Sequence, residues 1–245
     1  MEKSQENKLK VLIIVPAFNE EGSIEKVVET IEKKCPEYDY LIVNDGSMDS
    51  TAQICKDRRF NFVSLPQNLG IGGAVQTGYK YALENNYDIA IQTDGDGQHD
   101  VAFVKDMVEL ISNDEADIVI GSRFIKNEGF QSSAARRFGI NFLSGLIHLL
   151  TGKRVKDVTS GFRAVNRRFI KIYASDYPSD YPEPEAIVSA VMHRGSIKEI
   201  PVIMNERTSG KSSINLSKSF YYMVKVSLAI IICRISFGVR RGGRK

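Results

Sequence analysis

The chain of 245 residues contains no tryptophan, three histidines and three cysteines. Cys35, Cys55 and Cys233 are widely spaced, and this spacing excludes the common cysteine metal sites and redox motifs. Isolated thiols of this kind act as small apolar side chains in a reducing compartment. The polar N-terminus lacks the apolar core of a signal peptide, so we expect a cytoplasmic rather than a secreted protein.

The chain also lacks a large net charge of either sign. The formal net charge of +3 is too small to indicate a nucleic-acid partner. There is no long uninterrupted hydrophobic run either. The most apolar stretch, 223–237, contains Lys225 and Arg234 with only eight residues between them. A helix that spans a bilayer needs about 20 apolar residues, so this stretch is not predicted to cross a membrane.

Two apolar helices with basic flanks are predicted instead, at 136–153 and 223–237. The second precedes a basic tail, and both favour a helix lying in the membrane interface with cations on anionic headgroups. The tail residues are Arg240, Arg241, Arg244 and Lys245. We therefore expect a peripheral protein at the cytoplasmic face of the membrane. Alternatively, these helices pack against a hydrophobic partner subunit or against a second copy of this chain in a homo-oligomer.

The first half of the chain alternates between strand and helix patterns. The strand patterns lie at 11–15, 40–43, 61–65, 89–91 and 117–121, with helical patterns after each of the first four. This alternation predicts an α/β fold with a mostly parallel sheet and helices on both faces. In the second half, three prolines between 178 and 184 predict an extended stretch. A short helix from about 185 to 195 and an edge strand at 197–204 are predicted to follow.

Asp94 and Asp96 form the most informative pair in the sequence. They come directly after the apolar strand pattern at 89–91 and are flanked by Gly95 and Gly97. Two carboxylates in a glycine-rich turn supply the oxygen ligands that Mg²⁺ or Mn²⁺ prefers, with room for a diphosphate. The competing interpretation is an ordinary acidic turn.

Polar residues also follow the other predicted strands. Asn19 and Glu20 follow the first, Asp45 follows the second and Asn68 follows the third. In open α/β sheets, ligands bind at the edge where the strands end, so these side chains are expected to share one site. A turn or helix-capping role remains open for Asp45, and Asn68 can simply cap its glycine-rich loop.

These residues occur in segments that resemble, in order and spacing, the motifs of glycosyltransferase family 2. The segments are Val15-Pro16-Ala17-Phe18-Asn19-Glu20-Glu21, Val43-Asn44-Asp45-Gly46-Ser47, Asn68-Leu69-Gly70, Asp94-Gly95-Asp96-Gly97-Gln98-His99, Gly121-Ser122-Arg123-Phe124 and Thr159-Ser160-Gly161-Phe162-Arg163. The sequence is most similar to the branch that contains dolichyl-phosphate mannose synthase and bacterial polyprenyl-phosphate sugar transferases. The similarity covers about residues 10–215. It implies a GT-A nucleotide-sugar-binding domain at 1–215, followed by an amphipathic, basic segment at 216–245.

The resemblance implies roles for particular residues. A nucleotide-sugar pocket would be formed by Pro16, Ala17, Asn19, Glu20, Asp45, Gly46, Asn68, Gly70, Asp94, Arg207 and Lys211. Asp94 and Asp96 would hold the metal, Gln98 would lie beside it, and His99 is expected to be structural. Acceptor phosphate would meet Arg123, Arg136, Arg137 and Arg163. The loop 207–213 resembles a mobile loop that closes over the donor diphosphate.

The acceptor decides whether the reaction needs a base. A polyprenyl phosphate is anionic and can attack the anomeric carbon directly, with inversion, whereas a sugar hydroxyl of a lipid-linked glycan needs a general base. Glu183 and Glu185 are candidates for that base. The alternative for Glu185 is stabilisation of its own helix through the helix dipole.

Two other functions compete with a glycosyltransferase. Phosphatases of the haloacid-dehalogenase type also use Asp-x-Asp after a strand, but normally after the first strand, and here three strand patterns precede the one that Asp94 follows. A non-catalytic nucleotide-sugar-binding scaffold is the second alternative, and the full set of carboxylates argues against it.

Overall fold

The computed structural model describes residues 9–126, 134–204 and 216–242, with side chains for 9–126, 136–204 and 222–237. The strands are β1 (Val11–Ala17), β2 (Asp39–Asn44), β3 (Phe62–Ser64), β4 (Ile89–Gln92), β5 (Ile118–Ser122), β6 (Arg163–Asn166) and β7 (Ile197–Pro201). The helices are α1 (Ile24–Lys34), α2 (Thr51–Asp57), α3 (Gly70–Glu84), α4 (Val104–Ser112), α5 (Ala134–Thr151), α6 (Arg167–Ser175), α7 (Pro182–Met192) and α8 (Leu216–Gly242).

The strands form one sheet in the order β3-β2-β1-β4-β6-β5-β7. All neighbouring pairs are parallel except those of β6, which runs antiparallel to both β4 and β5. The ends of β1, β2 and β4 therefore meet at one edge, as the sequence predicts. The prediction of a mostly parallel sheet with helices on both faces is confirmed.

The hydrophobic core lies in two layers, one on each face of the sheet. In β1, Leu12 and Ile14 point into the layer covered by α3, α5, α6, α7 and α8. Val11, Ile13 and Val15 point into the layer covered by α1, α2 and α4. Because successive side chains of a strand point to opposite faces, a strand buried on both sides is apolar at every position.

The structure differs from the prediction at α7. The prolines at 178–184 were expected to keep the chain extended up to 185, but α7 begins at Pro182 and includes Pro184. Proline is tolerated in the first turn of a helix because the N–H groups there have no partner within the helix. The strand β6 and the helix α6 were not predicted at all. The edge position of β7 is confirmed, although the strand ends at Pro201 rather than 204.

The helices α5 and α8 run parallel and in contact. A Cβ atom at Gly139 would lie 3.0 Å from the sulfur of Met223. Eleven residues further along both helices, Arg234 Nε donates a hydrogen bond to the carbonyl oxygen of Leu150 at 3.0 Å. Val226 and Ile230 of α8 belong to the buried core. Within the described part of the chain, every helix is too short or too polar to cross a membrane. The expected boundary at 215 falls outside the described residues.

Candidate active site

Hydrogen bonds join the loop after β1 to the loop after β2. The side-chain oxygen of Asn19 accepts a hydrogen bond from the N–H of Met48 at 2.8 Å, and the N–H of Asn19 donates to Ser47 Oγ at 3.0 Å. The N–H of Glu20 donates to Thr51 Oγ1 at 2.8 Å. Asn19 has a φ of 56°, a left-handed conformation that asparagine tolerates better than most residues. Two of the predicted pocket residues thus shape the rim of the site.

Asp45 joins the end of β2 to the glycine-rich loop. Its carboxylate is 3% exposed and accepts a hydrogen bond from the N–H of Leu69 at 2.7 Å. Burial raises the pKa of Asp45, and the N–H groups of Leu69 and Gly70 partly offset this rise. Gly46 has a φ of +67°, and a Cβ there would lie 2.8 Å from the nitrogen of Asn68. Glycine is therefore required where the two loops meet.

Asp94 and Asp96 lie at the end of β4, next to the end of β1. The side chain of Asp94 is 36% exposed, whereas Asp96 is 7% exposed and accepts a hydrogen bond from the N–H of Gln98 at 3.0 Å. A Cβ at Gly95 would lie 2.9 Å from the carbonyl oxygen of Pro16, so this turn passes directly over β1. The two carboxylates and the neighbouring amide of Gln98 are oxygen donors of the type that fits a divalent cation.

Gly161 lies close to the side chain of Asp94. A Cβ at this position would lie 3.0 Å from Asp94 Oδ1 and 3.2 Å from Gln92 Nε2. Gln92 Nε2 is buried, without a hydrogen-bond partner in the described structure. The segment before β6 therefore packs against the turn that carries Asp94, a contact that the sequence pattern does not reveal.

Arg123 is committed to a buried carboxylate. Its Nε and Nη2 atoms donate to Asp157, which is completely buried. Burial alone would lower the pKa of Arg123, but the hydrogen bonds and charge of Asp157 outweigh burial and raise it. Arg123 itself is 7% exposed. Most of its guanidinium N–H groups already donate to Asp157 and Thr159, so Arg123 is placed to hold this part of the site in position.

Arg163 lies inside the molecule, with 1% of its surface exposed. It donates two hydrogen bonds to the carbonyl oxygen of Ser160 and one to that of Glu183. The predicted contact with acceptor phosphate does not fit this position, because the guanidinium is buried and already donates to main-chain carbonyl oxygens. Instead, Arg163 ties β6 to the first turn of α7.

Arg136 and Arg137 lie in the first turn of α5, and Arg137 lies beside Phe124. Arg136 is exposed and Arg137 is partly exposed. The guanidinium of Arg137 lies 5.2 Å from the centre of the Phe124 ring, and that of Arg123 lies 5.3 Å from it. The face of an aromatic ring attracts cations, so Phe124 holds two guanidinium groups near the end of β5.

Glu183 and Glu185 occupy different environments, although both lie in the first turn of α7. Burial raises the pKa of Glu183, and the charge of Asp94 raises it further, while Arg163 opposes both effects. Burial also raises the pKa of Glu185, but there the contributing charge is that of Asp176. Of the two predicted bases, only Glu183 belongs to the electrostatic environment of Asp94.

Tyr222 of α8 was missed by the sequence interpretation. Its ring contacts that of Tyr181 edge-on, with centroids 4.6 Å apart. Burial raises the pKa of Tyr222, as does the charge of Glu183, and Arg136 opposes this. The start of α8 thus brings a phenol to the same region as Glu183 and Arg136. Arg207 and Lys211, which were predicted to contact the donor, lie outside the described residues.

A family model described as "Glycosyl transferase family 2" matches residues 12–173 of this chain. The chain belongs to glycosyltransferase family 2. The matched residues run from β1 into α6 and include the whole rim formed by Asn19, Asp45, Asn68, Asp94 and Asp96. This glycosyltransferase assignment leaves the phosphatase alternative without support.

Among the similar proteins is a UDP-N-acetylglucosamine–dolichyl-phosphate N-acetylglucosaminyltransferase of Methanococcus voltae. It is 32% identical over 213 residues, which cover 78% of this chain and 84% of the relative. A polyprenol monophosphomannose synthase of Mycolicibacterium smegmatis is 25% identical over 228 residues, which cover 89% of this chain and 86% of the relative.

A solved structure shows the same fold. Glucosyl-3-phosphoglycerate synthase from Mycobacterium tuberculosis, in complex with Mn²⁺, UDP and glucosyl-3-phosphoglycerate, matches with a TM-score of 0.67 and 19% identity. The match covers 94% of this chain and 80% of that one. The predicted GT-A fold is therefore confirmed for this family 2 glycosyltransferase.

Proposed function

We propose that this glycosyltransferase moves a sugar from a nucleotide-sugar donor to a polyprenyl phosphate at a membrane surface. The reaction inverts the anomeric carbon and depends on Mg²⁺ or Mn²⁺. The observation that carries the proposal is the position of Asp94 and Asp96 on the shared rim, with the Arg136–Arg137 pair and Tyr222 on the side where α5 meets α8. The similar proteins named for dolichyl-phosphate and polyprenol chemistry support this choice of acceptor.

The donor half of the site is the rim of β1, β2 and β4. Asp45 and the loop beginning at Asn68 would bound the nucleoside, with Asn19 and Glu20 holding the adjoining loops in place. Asp94 and Asp96 would hold the divalent cation, which as a Lewis acid neutralises charge on the leaving diphosphate. The carboxylates supply no proton in this scheme, because their role is to bind and orient.

The acceptor half needs cations rather than a base. An oxygen of the lipid phosphate forms the new bond to the anomeric carbon as the sugar–diphosphate bond breaks, and the nucleoside diphosphate leaves with that electron pair. No proton has to be removed from an ionised phosphate. Arg136 and Arg137 lie at the exposed start of α5, where they would neutralise the acceptor phosphate before it attacks.

The α5–α8 face would rest on the membrane. We use this name for six exposed side chains on the two parallel helices: Phe138, Phe142, Leu149, Leu228, Ile232 and Ile235. Within each helix these residues recur at the spacing of a single face. Exposed Arg136, Lys153 and Arg154 lie at the ends of α5 and complement anionic headgroups. A face of this kind binds in the interface plane without crossing the bilayer.

The double variant Asp94→Asn with Asp96→Asn tests the metal-dependent reaction. Both amides keep the shape of the side chains but lose the negative charges that bind the cation. Transfer and donor hydrolysis should fall by about three orders of magnitude, since a charge interaction of roughly 4 kcal/mol is lost. Stabilisation of the folded protein by UDP with Mn²⁺ should also disappear in thermal unfolding. Full activity of the double variant would refute the mechanism.

A second acceptor class is a sugar hydroxyl on a lipid-linked glycan. The position of Glu183 favours this candidate, because burial raises the pKa of its carboxyl toward the range of a general base. Glu183→Gln separates the two acceptors. With a polyprenyl-phosphate acceptor, the variant should retain transfer within about tenfold, whereas loss of a true general base costs roughly 100- to 10,000-fold.

A further inference from the structure

His99 connects three segments of the site. Its ring stacks on Phe162, with centroids 4.9 Å apart and planes inclined by 16°. Its Nδ1 atom accepts a hydrogen bond from the N–H of Asp94 at 3.0 Å. Its main chain pairs with Met204, the last residue of the described range 134–204. Only 1% of the side chain is exposed, so these contacts leave the ring a single orientation.

The contacts also define where the ring carries its proton. Because Nδ1 accepts the N–H of Asp94, it cannot be protonated, and the proton lies on Nε2. The ring is therefore neutral, since only one of its two nitrogens carries a proton. Nε2 lies 3.5 Å from Asp94 Oδ2 and has no hydrogen-bond partner within the described residues.

We propose that His99 is a positioning residue whose Nε2–H orients the Asp94 carboxylate toward the divalent cation on the donor diphosphate. This inference rests on the proposed function, since it assigns a partner to one of the two metal-binding carboxylates. One rigid ring then faces both parts of Asp94: its main chain, which donates to Nδ1, and its side chain, whose Oδ2 lies 3.5 Å from Nε2. Gly161 leaves the space on the opposite side in which Oδ1 lies.

A neutral donor suits this position better than a cation would. The carboxylates of Asp94 and Asp96 together supply two negative charges to the site. An imidazolium 3.5 Å from Asp94 would compete with the metal for that charge, whereas a neutral N–H orients the carboxylate and leaves its charge available. Groups that orient metal-binding side chains in this way commonly contribute a factor of about 10 to 100 to metal affinity.

Two substitutions of His99 distinguish the roles of its two ring nitrogens. His99→Asn retains an acceptor near the position of Nδ1 but removes the donor at Nε2. His99→Gln reaches the position of Nε2 and loses the acceptor at Nδ1. Mn²⁺ binding would be titrated by electron paramagnetic resonance, with and without UDP, and thermal unfolding would be measured on the same samples. His193→Asn is the control, because His193 bonds to the Ser189 carbonyl oxygen and packs on Phe237.

We expect His99→Asn to weaken Mn²⁺ binding by about 10- to 100-fold, with His99→Gln closer to the wild type and His193→Asn equal to it. A purely structural role for His99 predicts instead that Mn²⁺ affinity follows thermal stability in both variants. Mn²⁺ binding by His99→Asn at wild-type strength would overturn this inference alone. A wild-type protein that binds no Mn²⁺, with or without UDP, would overturn the metal step of the proposed function as well.

Discussion

Arg123 donates two hydrogen bonds to the buried carboxylate of Asp157, from Nε at 2.7 Å and from Nη2 at 2.6 Å. The main-chain N–H of Arg123 donates to the same carboxylate at 3.1 Å. Asp157 thereby fixes both the backbone and the guanidinium at the end of β5. The orientation of Arg123 toward Phe124 and the start of α5 depends on this pair.

Asp157→Asn should be strongly destabilising. It leaves the Arg123 guanidinium buried without its counter-charge, which typically costs about 3–5 kcal/mol of unfolding free energy. Urea denaturation measures the loss. Glu115→Gln is the matched control, because the Glu115–Lys198 pair is exposed and its loss should change the unfolding free energy far less. Equal costs for the two substitutions would show that Asp157 does not hold Arg123 in place.

Gly161→Ala should impair catalysis more than folding. The added Cβ would lie 3.0 Å from Asp94 Oδ1, so the carboxylate must shift. Misplacement of a binding group by a fraction of an ångström to 1 Å lowers the rate by roughly 10- to 100-fold. Steady-state transfer assays at saturating Mn²⁺ would measure this decrease.

The control for that variant is Gly145→Ala in α5. A Cβ at Gly145 meets no atom within 4 Å, and alanine stabilises a helix interior by about 0.5–1 kcal/mol relative to glycine. Metal-dependent donor hydrolysis should be unaffected in this variant. If Gly161→Ala also retains full activity, the contact between Gly161 and Asp94 does not matter for the reaction.

Tyr222→Phe should weaken use of the acceptor and leave donor binding unchanged. The substitution removes only the hydroxyl, and a hydrogen bond to a charged group contributes about 1.5–3 kcal/mol. The kcat/KM for polyprenyl phosphate should fall by roughly 10- to 100-fold, with the KM for the donor unaltered. Tyr38→Phe, at a partly exposed tyrosine near the start of β2, is the control. A decrease in donor affinity instead would place Tyr222 in the donor half.

Leu228→Glu combined with Ile232→Glu should abolish membrane binding. The two side chains are 54% and 60% exposed, and each would gain about 1.5–3 kcal/mol on burial in the interface. Sedimentation with anionic vesicles should show a loss of at least about 100-fold. Leu9→Glu places a single charge of the same sign on an exposed leucine before β1 and should bind like the wild type. If the wild-type protein does not sediment with vesicles but forms dimers, and these substitutions dissociate the dimers, the α5–α8 face binds a second copy of the chain instead of a membrane.

Local patterns predicted most of the donor half of the fold. The strands β1, β2 and β4 are apolar at nearly every position, and Asn19, Asp45 and Asp94 follow them directly, so their meeting at one edge follows from parallel pairing. The strand β6 was missed because it has four residues and pairs with strands distant in sequence. Of its residues, only Arg163 was interpreted, as the last residue of a binding motif.

The residues of the acceptor half could be identified only from the three-dimensional arrangement. Arg163 carries the same charge as Arg137, and only the packing of β6 against α7 shows that one is enclosed and the other partly exposed. Tyr222 is separated from Glu183 by almost 40 residues, and their proximity results from α8 packing on α7. Sequence periodicity indicates which face of a helix is apolar, but it does not identify the neighbour of each side chain.

The helix α8 also sets a lateral distance. Tyr222 and Leu228 are six residues apart, which corresponds to about 9 Å along a helix axis. Because a helix bound in the interface plane has its axis along the membrane surface, Tyr222 would lie beside the buried apolar side chains rather than above them. The reacting phosphate would then be met at the headgroup level, so the protein would take an acceptor whose phosphate already stands there, before any contact with the lipid chain.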